Sequence, residues 1–510
     1  MGQSLSSRRA WAAAVIIAVT VPIAGVLEPD AALAKQPDGL QQQFQVSANE
    51  ASLLQIYDLL RDQHWPQPNE KDLLNGAIKG MLETLDDPYT QYMTAEEYQN
   101  FVRQVNQSYD GIGIRVGEGT NGFHVEAVFP SSPAESAGLH VGDRIVAVNG
   151  KSTFGLTVDQ VSGNLRGAAG SSITLQVERD DKPSFTVTLT RKPISLPTLT
   201  SRILDQKTGY IHLLTFGGNE DKDFGSALTD LQKKGIDSLI LDLRGNGGGL
   251  IDSAIRIADR FLDGGLITRI KTRIGEEEIT AQPGSLKMPL VILVDADTAS
   301  ASELLAGALQ TQKRAKLIGQ KTFGKGVVQT VVPTANGDVL KLTFAQYYFA
   351  DGSSPNKLGL QPDVVVASPA LQLVTALETL HPSKIRSVKF DLDNQKTYVN
   401  HWEVPQQTVV QRPDGQVFLP LRFLVEAFGS EVNWKPEGDE SFQYNNRYVE
   451  LSASDGTLTV NGQVMDLPQP FLAKDGITFI SLDAVKAVLQ PDQVRQSDRL
   501  IEMEVGGTSL

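Results

Sequence analysis

The apolar run Leu290–Val294 passes within a few residues into Ser302–Lys313, where Leu304, Leu305, Ala308 and Leu309 share one helical face. A buried strand, a short turn and a helix in that order commit this part of the chain to an α/β arrangement. The turn reads Thr298-Ala-Ser-Ala-Ser-Glu303. A serine flanked by alanines there stands at a helix N-terminus, where unpaired N–H groups and the helix dipole favour a developing oxyanion. Lys325 follows Ser300 by 25 positions, inside Thr322-Phe-Gly-Lys-Gly326. A lysine serves as a base once burial lowers its pKa toward neutrality. Glycines on both sides let its backbone approach a neighbour closely. Taken singly, Ser300 reads as a helix cap and Lys325 as a solvated loop charge; together they read as nucleophile and base.

At this point the chain resembles the carboxyl-terminal processing (tail-specific) serine proteases. In that family the serine of an Ala-Ser-Ala-Ser-Glu run pairs with the lysine of a Phe-Gly-Lys-Gly motif at this spacing. A glutamine four residues beyond the lysine corresponds to Gln329 here. The resemblance covers residues 47–380 and implies a Ser300–Lys325 dyad with Gln329 orienting the amine.

Composition narrows the alternatives. With 41% hydrophobic and 21% charged residues in 510, the chain is globular and long enough for several domains. A net charge of −14 argues against nucleic acid as a partner. There are no cysteines, which excludes disulfides, thiolate nucleophiles and cysteine-ligated zinc. The six histidines, His64, His124, His140, His212, His381 and His401, are scattered and form no metal spacing. A Ser-His-Asp triad and a zinc peptidase are therefore poor fits, and no metal or cofactor is expected.

The N-terminus reads as an export signal. Arg8 and Arg9 precede the apolar stretch Trp11–Leu27, and Ala32-Leu-Ala34 offers a small-residue cleavage site. The expected location is extracytoplasmic, either secreted or retained at the membrane–wall space by an uncleaved signal.

Beyond the signal (1–34), a linker and helical region spans 35–105. Leu54, Tyr57 and Leu60, then Leu74, Ile78, Met81, Leu82 and Leu85, fall at helical spacing. Leu85-Asp-Asp-Pro-Tyr-Thr-Gln-Tyr-Met93 is similar to a family signature joining this region to the next domain. The resemblance implies that the helices pack on the core and can contribute to a homodimer.

Residues 106–192 change character. Gly111-Ile-Gly-Ile114, Ser132-Pro-Ala-Glu-Ser-Ala-Gly-Leu139 and Val141–Gly150 together resemble a PDZ domain. A glycine-rich turn entering a strand presents N–H groups to a terminal carboxylate, while the strand edge pairs with the peptide. Gly111, Ile112, Gly113 and Ile114 are the expected peptide-binding residues, with Ile112 and Ile114 lining the pocket for an apolar last side chain. Arg166 resembles an arginine through which family PDZ domains communicate with the protease.

Residues 193–384 alternate strands and helices. Thr208–Phe216, Ser238–Leu243 and Leu290–Val294 read as strands; Phe224–Lys234 and Ile251–Leu262 read as helices. The family implies a crotonase-like protease core. Asp242-Leu-Arg-Gly-Asn-Gly-Gly-Gly249 lacks a Walker lysine or a complete dinucleotide spacing. By resemblance Gly249 gives one oxyanion N–H and Ala301 the other. Asp242 and Arg244 are expected to stabilise the turn.

The tail, 385–510, carries an internal repeat. Asp414–Leu424 recurs 61 residues later as Asp475–Val485, each copy an Asp-Gly turn, a short strand and an amphipathic helix. It resembles modules named after the N-terminal domain of copper amine oxidases, without ligands for copper. An α+β appendage making structural, cell-wall or dimer contacts is expected.

The whole is a multidomain α/β protease: an exported serine endopeptidase for proteins whose apolar C-termini dock in the PDZ groove. A non-catalytic PDZ scaffold on a degenerate core would lack the serine, the lysine or the glycine-rich loop, and all three are present. An acyl-CoA activity on the same fold fits poorly with a signal peptide and a PDZ domain.

Overall fold

The computed structural model describes residues 47–506 apart from 120, 181, 206, 436 and 437. The proposed signal lies outside the described residues. Among those described, no helix is long and apolar enough to cross a membrane. Two compact units emerge. One holds the chain up to Pro197 with Leu250–Asp252 and Val327–Ala345; the other holds Thr198–Gly249, Ser253–Gly326 and Gln346–Leu510.

In the first unit, Ala48–Gln63 and Glu70–Glu83 are helices. Ser47 caps the first through a hydroxyl that accepts the Glu50 N–H, while the Glu50 carboxylate accepts the Ser47 N–H. Among the described residues neither helix buries a side chain, and Leu54, Leu60, Leu74 and Met81 are exposed. The periodicity is that of real helices, whose apolar stripe stays exposed among the described residues. The Leu85–Met93 motif turns from the second helix into strand Gln91–Met93, which pairs antiparallel with Val339–Tyr348, Gln91 opposite Lys341. Val327–Pro333 pairs with that same strand.

The PDZ part is a β-sheet in the order Ile114–Gly119, Gly122–Val128, Arg144–Val148, Ser172–Glu178, Phe185–Thr190, flanked by helix Val158–Leu165. Alternate residues (Ile173, Leu175, Val177) face its core, as the two-residue period of a half-buried strand requires.

The second unit is built on a six-stranded sheet in the order Leu199–Ile203, Thr208–Leu213, Ser238–Asp242, Leu290–Val294, Lys316–Gly319, Val364–Val365. The first pair is antiparallel and the rest parallel. Ser238–Asp242 and Leu290–Val294 are buried at every residue, the pattern of central strands covered on both faces. Helices Glu220–Lys233, Ala301–Thr311 and Pro369–Leu380 complete it.

The tail is not an appendage. Val417–Pro420 and Ile477–Ser481 each lead into a seven-residue helix and pair with one another, Leu419 opposite Ile480. Leu419, Leu421, Leu424 and Val425 share one apolar cluster with Leu371, Val374 and Leu377 of helix Pro369–Leu380 and with Ile240 and Val291 of the sheet. Glu426 adds a polar tie, accepting the N–H groups of Ala367 (3.2 Å) and Ser368 (2.8 Å) where that helix begins.

Candidate active site

Ser300 and the glycine-rich turn both lie at the C-terminal ends of parallel strands, where loops of α/β sheets converge. Leaving Leu290–Val294, the chain makes a bend that Thr298 fixes by donating its hydroxyl to the Leu243 carbonyl at 2.9 Å. Ser300 then takes φ +58° and ψ −117°, a backbone state rare for a residue with a side chain, and helix Ala301–Thr311 starts immediately after it. The side chain is fully buried, and its Oγ has no hydrogen-bond partner among the described residues. A serine acting only as a helix cap would spend that oxygen on the first turn; this one does not.

Lys325 is 2% exposed, which excludes a solvated loop charge. Its flanking glycines have the predicted use. A Cβ on Gly326 would lie 2.5 Å from the Asn356 nitrogen, and one on Gly324 would lie 2.9 Å from the Gly359 nitrogen.

Two side chains join the serine turn to the lysine loop. Glu303, one turn into the helix and fully buried, accepts the N–H groups of Ser300 (3.0 Å) and Lys325 (2.7 Å) on Oε2. Its Oε1 accepts the Gly324 N–H (2.8 Å) and the Thr322 hydroxyl (2.5 Å). Burial outweighs these donors and leaves its pKa above the ordinary carboxylate range. Tyr347, also fully buried, donates its hydroxyl to the carbonyls of Ser300 (3.0 Å) and Lys325 (3.2 Å). Burial and the nearby Glu303 charge push its pKa well up, so it stays a donor. Glu303 stood inside the serine motif, three residues after Ser300, in the spacing of a capping box. Tyr347 had no signal in the sequence.

The glycine-rich turn is latched to the same place by Asn246. Its carbonyl accepts the Ala299 N–H (3.1 Å) and the Ser302 hydroxyl (2.9 Å), while its side-chain Nδ2 donates to the Leu213 carbonyl (2.8 Å). Its Oδ1 accepts the Gly248 N–H at 2.9 Å, so that N–H is already committed. Gly248 itself lies against the serine: at φ +102°, a Cβ there would sit 2.7 Å from the Ala299 oxygen and 2.9 Å from the Ala301 nitrogen. Ala301 is the first residue of its helix, so its N–H has no intrahelical acceptor. Asp242 and Arg244 are bound to one another, with Tyr210 donating to Asp242 and Arg244 donating to Gln372, the turn-stabilising use expected of them.

In the first unit, Gln329 lies fully buried on strand Val327–Pro333. Its Nε2 donates to the Thr343 hydroxyl at 3.2 Å, and its Oε1 has no partner among the described residues. The PDZ groove, of about 200 Å³, is lined by Ile112, Gly113 and Ile114 together with Leu165, Arg166 and Tyr109. Gly113 is required there: at φ +81°, a Cβ would fall 2.2 Å from the Ser132 Cβ. Gly111 lies just outside, in the strand that pairs with Lys192–Ser195. Arg166 ends helix Val158–Leu165 and stacks its guanidinium over the Tyr109 ring, 5.3 Å from the centroid.

Residues 207–366 match peptidase family S41, 124–179 match a PDZ domain, 394–493 match the copper amine oxidase N-terminal domain, and 26–97 match the activating protease CtpB N-terminal domain. The carboxy-terminal processing protease CtpA of Bacillus subtilis is 35% identical over 320 residues, covering 62% of this chain and 69% of the relative. CtpB of the same organism is 32% identical over 413 residues, covering 78% and 84%. A solved structure of the photosystem II D1 C-terminal processing protease is 31% identical, covers 65% of this chain and 90% of its own, and superposes with a TM-score of 0.40. The chain therefore belongs to peptidase family S41, among the carboxy-terminal processing proteases with a PDZ domain, and is a serine-type endopeptidase.

Proposed function

We propose that the catalytic device of this protease is a Ser300–Lys325 dyad. Lys325, in its neutral form, takes the Ser300 proton as Oγ bonds to the scissile carbonyl carbon. The tetrahedral oxyanion receives the N–H groups of Gly249 and Ala301. Lys325 then passes the proton to the departing amine as the C–N bond breaks, leaving an acyl-enzyme. Water attacks the ester, Lys325 takes its proton, and the proton returns to Ser300 as the acid leaves. Gln329 orients the lysine amine through its side-chain oxygen.

The observation that carries this reading is the state of Ser300: buried, at φ +58°, its Oγ unpartnered among the described residues, its N–H on the same Glu303 oxygen as that of Lys325. The commitment of the Gly248 N–H to Asn246 supports Gly249, not its neighbour, as the oxyanion donor. The non-catalytic scaffold reading has no such support.

In this reading the core (193–384) is crotonase-like, the PDZ domain (106–192) receives apolar C-termini on Gly111–Ile114, and Arg166 relays occupancy toward the protease. The exposed apolar stripe of residues 48–83 supports a homodimer. The 385–510 module is an α+β repeat that can also meet the cell wall. The 1–34 signal, with 35–105 following it, places the enzyme outside the cytoplasm.

The test compares wild type with Ser300→Ala and Lys325→Ala on an unstructured protein ending in apolar residues, free or amidated. Both variants should be inactive and the amidated tail should be cut more slowly. Cleavage by all three at comparable rates would remove the dyad.

A further inference from the structure

The open edge of the PDZ sheet carries a charge pair that the apolar pocket does not account for. Strand Ile114–Gly119 is the last of its sheet, so one side of it can receive an added strand. Along it Ile114 and Val116 are buried, while Arg115 between them is exposed and also lines the groove. The neighbouring strand, Gly122–Val128, is bulged at this point. Arg115 lies opposite Ala127 and Val116 opposite Val125, which leaves Glu126 as the extra residue. A bulge re-aims the side chain it carries. Here the Glu126 carboxylate reaches across the edge strand: Oε2 accepts the Arg115 Nε–H at 3.2 Å, and Oε1 lies over Gly117, where a Cβ would collide with it. Gly117 is not among the glycines at positive φ, so what it supplies is the space that the carboxylate fills.

Both charges remain largely in water, with side-chain exposures of 66% for Arg115 and 51% for Glu126. An exposed ion pair contributes little to stability. Stability therefore gives no reason for a bulge and a glycine devoted to placing this one. A ligand does. A tail whose carboxylate is received at the Gly111–Gly113 turn runs antiparallel along Ile114–Gly119. By the two-residue period of a strand, its last and third-from-last side chains share the face of Ile114 and Val116. Its next-to-last side chain then stands beside Arg115, and its fourth-from-last beside Gly117 and the Glu126 carboxylate.

We infer that the PDZ edge reads the order of charges in the bound tail, through Glu126 and Arg115. It favours a lysine or arginine four residues from the end, followed by an aspartate or glutamate next to the apolar last residue. The reverse order sets like charges against each other at both positions. This rests on the reading in which the PDZ groove receives apolar C-termini. Arg115 and Glu126 are then specificity-determining residues for substrate recruitment.

The test measures binding of labelled peptides to the full chain carrying Ser300→Ala, by fluorescence anisotropy. Two peptides of identical composition and net charge end in lysine-serine-glutamate-valine or in glutamate-serine-lysine-valine, and a neutral parent has serine at both charged positions. Because composition is shared, the acidity of the whole chain acts on the two alike. The first should bind about fivefold to tenfold more tightly than the second at low salt, and the gap should close toward one in about 0.5 M NaCl. Arg115→Glu combined with Glu126→Arg should reverse the preference while holding the parent within about twofold, which shows the groove intact. Equal affinities for the two charged peptides, or an order that survives the charge swap, would overturn the inference and leave the groove reading standing. A chain that binds none of the three would overturn the groove reading, and the inference with it.

Discussion

The Glu303 carboxylate accepts the backbone N–H of Lys325 at 2.7 Å, and the oxygen that does so also accepts the N–H of Ser300 at 3.0 Å. The base loop and the nucleophile turn, 25 residues apart in the chain, are thus held by one buried acceptor.

Glu303→Gln is the direct probe of that acceptor. The four groups donating to the carboxylate would face an amide whose nitrogen also donates, leaving two buried donors opposed. We expect about 2–4 kcal/mol lost from stability by denaturant titration, and a kcat at least about a hundredfold lower if the dyad is misaligned. Unchanged kcat in a stable Glu303→Gln protein would show that the clamp does not align the site.

Gly248→Ala places a methyl 2.7 Å from the Ala299 oxygen, at a backbone angle unfavourable to a side chain. Either the glycine turn or the serine turn must move. A loss of roughly 2–3 kcal/mol together with loss of cleavage is expected. The control is Gly245→Ala, at φ +69° but with open space around the added methyl, which should cost stability with little effect on turnover.

Lys341 gives a pH signature. It is 1% exposed, it donates to the Gln91 side chain at 2.8 Å, and burial lowers its pKa to about 8 against the pull of Asp87. Between that value and the unfolded pKa near 10.4, the unfolded chain holds a proton that the folded chain has released, so this group's contribution to stability rises with pH across the window. Urea titrations of wild type and Lys341→Met from pH 7 to 10.5 should show wild type gaining on the variant by on the order of 2–3 kcal/mol. A pH-independent difference would refute the assignment.

Glu426 and the tail make a prediction about architecture. Glu426→Ala strips the Ala367 and Ser368 N–H groups of their acceptor and should cost about 1–2 kcal/mol. Removing residues 385–510 uncovers Leu371, Val374 and Leu377, and we expect the remainder to unfold at a markedly lower temperature or aggregate in a thermal scan. An unchanged melting temperature would make the tail an independent module after all.

Much of this was legible in the sequence because the relevant signals are local. Continuous apolar runs marked the strands Ser238–Asp242 and Leu290–Val294, and the 3.6-residue period marked the helix Ala301–Thr311, close to their bounds. The glycines around Lys325 announced a close backbone approach. The N-terminal helices were legible as helices but not as uncovered ones, because periodicity records a stripe and not what covers it.

What the sequence by itself determined is the chemistry available: a serine at a strand-to-helix turn, a lysine between glycines, no cysteine and no histidine cluster to offer another mechanism. Tertiary structure decided what those groups are. Burial turned Lys325 from a surface charge into an enclosed amine. Strain and an unpartnered Oγ separated Ser300 from a helix cap. Tyr347 and Asn246 became part of the site through hydrogen bonds spanning tens of residues. No local pattern encodes such contacts, because their partners are chosen only when the sheet closes and every buried donor must find an acceptor.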